Sequence, residues 1–372
     1  MRVYFDNAAT TPLDPIVLDH MLPVLKEHHG NPSSIHQHGR VVRTYIEESR
    51  KTIAQHLKAS IAEIFFTSSA TEANNLAIQA AVRDLNIKSI ITSPTEHDCV
   101  LHSTQYVSEN KDIQLHLLSV DEKGHIQLEE LEKKLQSVEG PVLVSIMHAN
   151  NEIGTIADIS SISELCEKHN AFYHCDTVQT LGKYPIDVST QRFSFLSGSG
   201  HKFYGPKGIG FIYINGDNII KPLLYGGSQE RNMRAGTENT YGIAGIGKAF
   251  DLSVLEMEKR AESVSTLRHT FSQKVKALDD SIKIISPEDG HRHILSVGFP
   301  KTSKSDLLKF NLDIAGISAS SGSACSSGVE SSSHVMNAIG LANDYNAVRF
   351  SFSHLNTLEE VNYTIEKLSS MI

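Results

Sequence analysis

Seven short runs rich in β-branched and aromatic residues recur between residues 64 and 214. They are IFFT (64–67), SIIT (89–92), IQLHLLSV (113–120), VLVSIM (142–147), AFYHC (171–175), FSFLS (193–197) and GIGFIYI (208–214). Between most of them lie helix-like stretches such as TEANNLAIQAAVRDL, LEELEKKLQSV and ISSISELCEKHN, with apolar residues at i, i+3 and i+4. The runs have the composition of strands and the stretches that of amphipathic helices. Strand–helix alternation of this kind builds a mostly parallel sheet covered by helices on both faces. The predicted fold class is α/β, with a seven-stranded sheet in the larger part of the chain. Ligands of such sheets bind beyond the carboxyl ends of the strands.

From about residue 240 the texture changes. A long helical pattern, AGIGKAFDLSVLEMEKRAESVSTLRHTFSQKVKAL, leads into the strand-like HILSVGF and AVRFSFS and a final helical stretch, TLEEVNYTIEKLSSMI. This predicts a smaller α+β domain. The expected division is 13–245 for the large domain and 246–372 for the small one, with residues 1–12 joining the small domain.

The bulk composition narrows the function classes. The chain has 372 residues, 40% of them hydrophobic, and a net charge of -9. No lysine–arginine run offers a grip on a phosphate backbone, so direct nucleic-acid binding is not expected. No stretch reads as a secretory signal or a membrane span, which predicts a cytoplasmic protein with no membrane contact. The four cysteines form no C-x-x-C pair, so neither a disulfide framework nor a zinc ribbon is expected. His28, His29, His36 and His38 lie close together but lack carboxylate or thiol company at metal spacing, and no metal site is expected.

The residues just after the strand-like runs form a set. TSSATEAN opens a helix with small residues whose backbone N–H groups, with the Thr71 hydroxyl, suit a phosphate; an ordinary N-cap explains them equally well. Then follow His97 in TEHDCV, Asn150 and Asn151 in HANNEIGT, Asp176 and Gln179 in CDTVQT, and Ser199, His201 and Lys202 in SGSGHKFYGPKG. Pyridoxal phosphate needs a lysine for attachment, a carboxylate at its pyridine nitrogen, donors for its phosphate and a flat group over its ring. One sheet edge would supply all four. Lys202 is then a functional amine rather than a solvated surface charge. A neighbouring cation and partial burial would lower its pKa.

In these stretches the chain resembles the group I cysteine desulfurases (NifS/IscS-like) of the class V aminotransferase family. The resemblance runs through DNAATTP, GNPSS, TSSATEANNLAI, TEHDCV, SIMHANNEIGT, YHCDTVQT, SGHKFYGPKGIG, GGSQERNMRAGTEN, SSGSACSSG and VRFSFS. It implies fold type I of the pyridoxal-phosphate-dependent transferases. It further implies that Lys202 holds the cofactor and moves a proton, that Asp176 pairs with the pyridine nitrogen and that Gln179 bonds the ring oxygen. His97 would stack on the ring and assist proton transfer. Ala70, Thr71, Ser199 and His201 would hold the phosphate, joined by Thr237 from the other subunit of a homodimer. Asn151, also beside the cofactor, and Arg349 would take the carboxylate of L-cysteine, and Cys325 would accept its sulfur as a persulfide.

Ser69, Ser228 and Asn232 stand where the family usually has glycine, and Thr177 where it has alanine. Cys166 and Cys175 read as buried apolar groups. Cys99, two residues from His97, has a neighbour that would favour reactivity, but it is not expected to be needed for activity. The resemblance leaves the sulfur acceptor open: a protein of iron–sulfur assembly, of tRNA thiolation or of DNA phosphorothioation. Another fold type I activity, such as a selenocysteine lyase or an aminotransferase, and an inactive dimeric scaffold are the alternatives.

Overall fold

A computed structural model of the chain describes residues 1–322 and 333–372. After the short strand β1 (Val3–Tyr4) come helices α1 (Pro15–Lys26) and α2 (Gln37–Leu57). The seven runs then become β2 (Ile64–Thr67), β3 (Ser89–Thr92), β4 (Gln114–Leu117), β5 (Val142–Ser145), β6 (Phe172–Asp176), β7 (Phe195–Ser199) and β8 (Gly210–Ile214). They form one seven-stranded sheet in the order β2-β8-β7-β6-β5-β3-β4. Every pairing is parallel except those of β8, which runs antiparallel to both neighbours.

Successive residues of a strand point to opposite faces, and the two faces carry separate cores. Phe66, Ile91, Val144, Leu196 and Phe211 pack with α1, α2, α5 (Leu128–Ser137), α6 (Ile159–Lys168) and α7 (Thr240–Leu255). Their neighbours Phe65, Ile90, Leu143, Phe195 and Ile212 pack with α3 (Ala70–Asp84) and α4 (Asp98–Lys111). Burial on both sides explains why these strands are continuous apolar runs and do not alternate with polar residues.

The remaining elements are α8 (Met257–Lys276), β9 (Lys283–Ile284), β10 (Ile294–Pro300), α9 (Ser303–Asp306), α10 (Leu308–Ile314), β11 (Ile317–Ser318), α11 (His334–Ala338), β12 (Tyr345–Ser351) and α12 (Leu358–Met371). Strands β12, β10 and β9 make an antiparallel sheet, and β1 pairs in parallel with β11. The long helical pattern after residue 240 is two helices, broken at Glu256. Ile243, Ile246 and Phe250 of α7 enter the core of the large sheet, whereas Val264, Leu267 and Phe271 of α8 enter the core around β10 and β12. The break lets each stripe reach its own core. No described helix is long and apolar enough to cross a membrane.

A buried ion pair ties the loop after β8 to this frame. The Arg50 side chain, on α2, donates to both Glu230 carboxylate oxygens at 2.8 and 2.9 Å and to the Ile64 carbonyl at 2.7 Å. Glu230 also accepts the Phe66 backbone N–H at 2.8 Å. The anchored segment needs such help, because Glu230, Arg231 and Asn232 have φ of 44°, 55° and 66°. That left-handed region disfavours residues with a Cβ. Arg50→Met strands the Glu230 carboxylate and is expected to lower unfolding stability by about 3–5 kcal/mol. Asn232→Gly is expected to raise it by up to about 1 kcal/mol. Urea denaturation of the two variants checks both signs.

Candidate active site

Adjacent strands β6 and β7 end at Asp176 and Ser199, and both residues are buried. The Asp176 carboxylate accepts the Val178 N–H at 3.0 Å on one oxygen and the Asn74 amide at 2.7 Å on the other. Gln179 follows in the next turn and donates through Nε2 to the Ala8 carbonyl at 3.0 Å. Its Oε1 is buried and has no partner among the described residues. After β7, Gly200–Lys202 make one tight helical turn that presents His201 and Lys202. Lys202 Nζ donates to the carbonyls of Ala8 at 2.6 Å and Ala9 at 3.0 Å.

Residues 6–11 run across these strand ends. Thr11 donates through N and Oγ1 to the His201 carbonyl at 2.9 and 3.0 Å, and Thr10 Oγ1 lies 3.1 Å from His201 Nδ1. Burial, with the charges of Lys202, Lys207 and Lys183 behind it, lowers the His201 pKa to about 4. His201 is therefore a neutral ring at neutral pH. The Lys183 amine is pushed down to about 7, first by burial and then by the charge of Lys202. No carboxylate pairs with it among the described residues.

Ala70 and Thr71 lie in the first turn of α3, where backbone N–H groups have no intrahelical acceptor. Ser69 caps this helix by accepting the Glu72 N–H at 3.3 Å, and Glu72 in turn accepts the Ser68 N–H at 2.9 Å. The cap takes the Glu72 N–H and leaves those of Ala70 and Thr71 without an intrahelical acceptor. Close approach sets the helix against the sheet: a Cβ on Gly210 would lie 2.6 Å from the Gly198 carbonyl oxygen and 2.8 Å from the Ser69 backbone. At the start of α4, His97 Nδ1 accepts the Cys99 N–H at 3.1 Å. The Cys99 thiol lies 3.1 Å from the same nitrogen, but burial, reinforced by the Asp176 charge, pushes its pKa to about 12. Proximity to His97 therefore does not make Cys99 a thiolate. Cys166 and Cys175 are buried as expected.

Arg349 is 2% exposed and donates to Asp6 Oδ1 and to the Asn151 carbonyl, both at 2.8 Å. Its Nε has no partner among the described residues. The sequence-derived pair Asn151 and Arg349 is thus brought together. Thr237 is exposed, and no hydrogen bond joins it to Thr71, Ser199 or His201 among the described residues. Cys325 lies outside the described residues.

Sequence reasoning missed several groups. Asn74 and His174 stand behind Asp176, with His174 Nε2 3.0 Å from Asn74 Oδ1. Glu96 is 1% exposed beside the site, its Oε1 accepting the Met147 N–H at 2.6 Å. Each is an ordinary polar residue in its own segment; His174 shares a face of β6 with Asp176 two residues on, whereas only the fold brings Asn74 and Glu96 to it. Residues 6–11 carried a signal in the polar DNAATTP, which no helix or strand pattern explains.

The arrangement fits pyridoxal phosphate. A buried carboxylate, an orphaned amide oxygen, an amine and the start of a helix converge on one sheet edge, and each answers one polar group of that molecule. Comparisons with known proteins agree. The model of the aminotransferase class-V family matches residues 3–364. The chain belongs to the aminotransferase class-V family. More narrowly, it is 42% identical over 376 residues to cysteine desulfurase IscS of Dictyoglomus turgidum, covering 100% of this chain and 94% of that one. A solved NifS-like protein superposes with a TM-score of 0.91 at 37% identity, covering 100% of this chain and 99% of the other. SspA in complex with cysteine superposes with a TM-score of 0.81 at 31% identity, covering 96% and 100%. Members of this family depend on pyridoxal phosphate.

Glu96 provides a pH test of the buried site. Burial raises its pKa well above the usual carboxyl value, the Met147 N–H opposes the shift, and the Asp176 charge adds to it. The folded state therefore holds the proton after the unfolded state has lost it. Wild-type stability is favoured at low pH and falls as pH rises from about 4.5 toward the folded pKa, with a slope approaching about 1.4 kcal/mol per pH unit. Glu96→Gln keeps the acceptor for Met147 and removes the titration. Its stability advantage over wild type is expected to be smallest near pH 4.5 and to grow toward neutrality, as measured by urea unfolding at several pH values.

Proposed function

We propose that this protein is a cysteine desulfurase that binds pyridoxal phosphate, takes sulfur from L-cysteine and passes it from Cys325 to an acceptor protein. The observation that carries the reading is the convergence of Lys202 and Gln179 on the Ala8 carbonyl, with the buried Asp176 carboxylate three residues before Gln179. When bound, the cofactor supplies an electron sink for the substrate carbon that bears the amine.

The chain's own residues divide the remaining work. Lys202 holds the cofactor and moves the proton of that carbon. Asp176 keeps a positive charge on the pyridine nitrogen, and Gln179 offers the ring oxygen a hydrogen bond through Nε2, the donating end of its amide. Ala70, Thr71, Ser199 and neutral His201 hold the phosphate. Arg349, beside Asn151, receives the substrate carboxylate by leaving Asp6, since an arginine fork matches a planar carboxylate. Cys325 attacks the substrate sulfur as a thiolate: an S–S bond forms, the C–S bond breaks, and the carbon is protonated to give L-alanine. Atoms balance with no outside oxidant, because cysteine and a thiol become alanine and a persulfide.

The exposed Thr237 belongs to the same reading. In a symmetric dimer it would reach the phosphate of the other subunit, as an isologous interface allows. The chain would divide near residue 245, residues 1–12 joining the smaller domain.

The test is chemical trapping. Borohydride reduction of the purified yellow protein should leave the cofactor on the peptide that contains Lys202, and Lys202→Ala should lose that adduct. Brief exposure to L-cysteine should add one sulfur atom to the peptide that contains Cys325. Cys325→Ser should still bind the cofactor but release alanine only at background rate. Sulfur on Cys99, or cofactor trapped on Lys207, would refute these assignments.

A further inference from the structure

Behind the two residues assigned to the cofactor ring lies a chain of hydrogen bonds with a definite direction. Asn74 is fully buried on α3. Its Nδ2 donates to Asp176 at 2.7 Å and to the Cys99 sulfur at 3.3 Å. A carboxylate only accepts, so this contact fixes which end of the Asn74 amide is the nitrogen. Asn74 Oδ1 must then accept from His174 Nε2 at 3.0 Å, which places the His174 proton on Nε2. Ser145 Oγ therefore donates to His174 Nδ1 at 2.8 Å.

The other branch is directed as well. The Cys99 N–H donates to His97 Nδ1, so that nitrogen carries a lone pair and the neutral ring bears its proton on Nε2. Cys99 receives a hydrogen bond from Asn74 and has its own S–H left to give to His97 Nδ1, 3.1 Å away. Burial keeps the intermediate groups from ionising: His174 is lowered to about 4 and the Cys99 thiol raised to about 12.

We propose that Asn74 is a positioning residue which, through Cys99, ties the orientation of the Asp176 carboxylate to the tautomer of His97. One amide thus bears on both groups: it orients Asp176 directly and, through the Cys99 S–H, supports the Nδ1 lone pair that the Cys99 N–H already favours. Asp176 keeps one lone pair of each oxygen engaged and its remaining lone pairs available to the ring nitrogen. His97, with two donors aimed at Nδ1, offers a hydrogen bond through Nε2 and accepts no proton at Nδ1 without opening the first turn of α4. This limits the part of His97 to giving a hydrogen bond through Nε2, since loss of its only proton would leave an imidazolate, and leaves the movement of the proton to Lys202. The proposal rests on the reading that Asp176 and His97 face the cofactor.

The experiment is nitrogen NMR of the cofactor-loaded protein labelled with ¹⁵N-histidine, the two resonances of His97 being assigned by their loss in His97→Asn. In the wild type, Nδ1 should be the unprotonated nitrogen of His97, and Nε2 the protonated nitrogen of both His97 and His174. Cys99→Ala should shift the His97 Nδ1 resonance, and Cys99→Ser should restore it. Asn74→Ala, which does not touch His97, should shift it in the same direction and also move the cofactor absorption band. It should lower kcat about fivefold, the worth of one hydrogen bond, with KM for L-cysteine little changed. Should Asn74→Ala fail to fold, the isosteric Asn74→Asp turns an acceptor toward Asp176 and must move the same signals. A protonated Nδ1 in wild-type His97, or a His97 resonance indifferent to Cys99→Ala and Asn74→Ala, overturns the proposal. Shifted resonances with an unaltered cofactor band overturn instead the placement of Asp176 and His97 at the ring.

Discussion

The site depends on a constraint at the start of the chain. Residues 3–11 form a strap hydrogen-bonded to both halves of the molecule. Val3 and Tyr4 pair with Ile317 and Ser318, the Asn7 amide and Ala8 N–H bind Ser351, and Asp6 binds Arg349. On the other side Ala8, Ala9 and Thr11 engage Gln179, Lys202 and His201. Backbone carbonyls that would otherwise be bare thus become acceptors for the lysine and the glutamine at the strand ends. The Ala8 carbonyl alone takes two donors, so Lys202 and Gln179 are held toward one point before any ligand is considered.

The fold was largely legible in the sequence because the seven strands are buried on both faces. Such strands must be continuous apolar runs, and continuous runs are easy to find. The site residues at strand ends followed from topology: Asp176, Ser199, His201 and Lys202 come immediately after apolar runs. What stayed hidden was whatever required distance. Asn74 is one of two adjacent asparagines on a helix, and nothing local separates it from Asn75, whose side chain bonds its own helix at Thr71. Glu96 stands just before the polar start of α4, where nothing local marks it as a fully buried carboxyl. Cys99 lies beside His97 in sequence, and that proximity alone says nothing of its surroundings. Its surroundings keep the thiol protonated, since burial and the nearby Asp176 carboxylate both penalise a negative sulfur.

Three of the four positions that depart from the family's habits, Ser69, Thr177 and Asn232, are absorbed by local chemistry. Ser69 in place of glycine becomes an N-cap. The Thr177 hydroxyl donates to the Ser197 carbonyl at 2.8 Å and so stitches the end of β6 to β7. Asn232 keeps the left-handed backbone that glycine would adopt freely, in a loop pinned by the Arg50–Glu230 pair. Ser69 and Thr177 each gain a hydrogen bond and Asn232 sits in an anchored loop, while nothing in the structure explains Ser228.

The strap also bears on how the molecule is made. Ala8 meets Ser351 across a sequence separation of 343 residues, and Lys202 reaches Ala8 across 194. Contacts of such span close late, because the entropy of bringing distant segments together is spent before the contact returns anything. On the ribosome the first residues emerge hundreds of positions ahead of their partners. The large sheet can assemble while the N-terminal segment still waits for β12, so competence for chemistry arrives only when the last strand has been synthesised and docked.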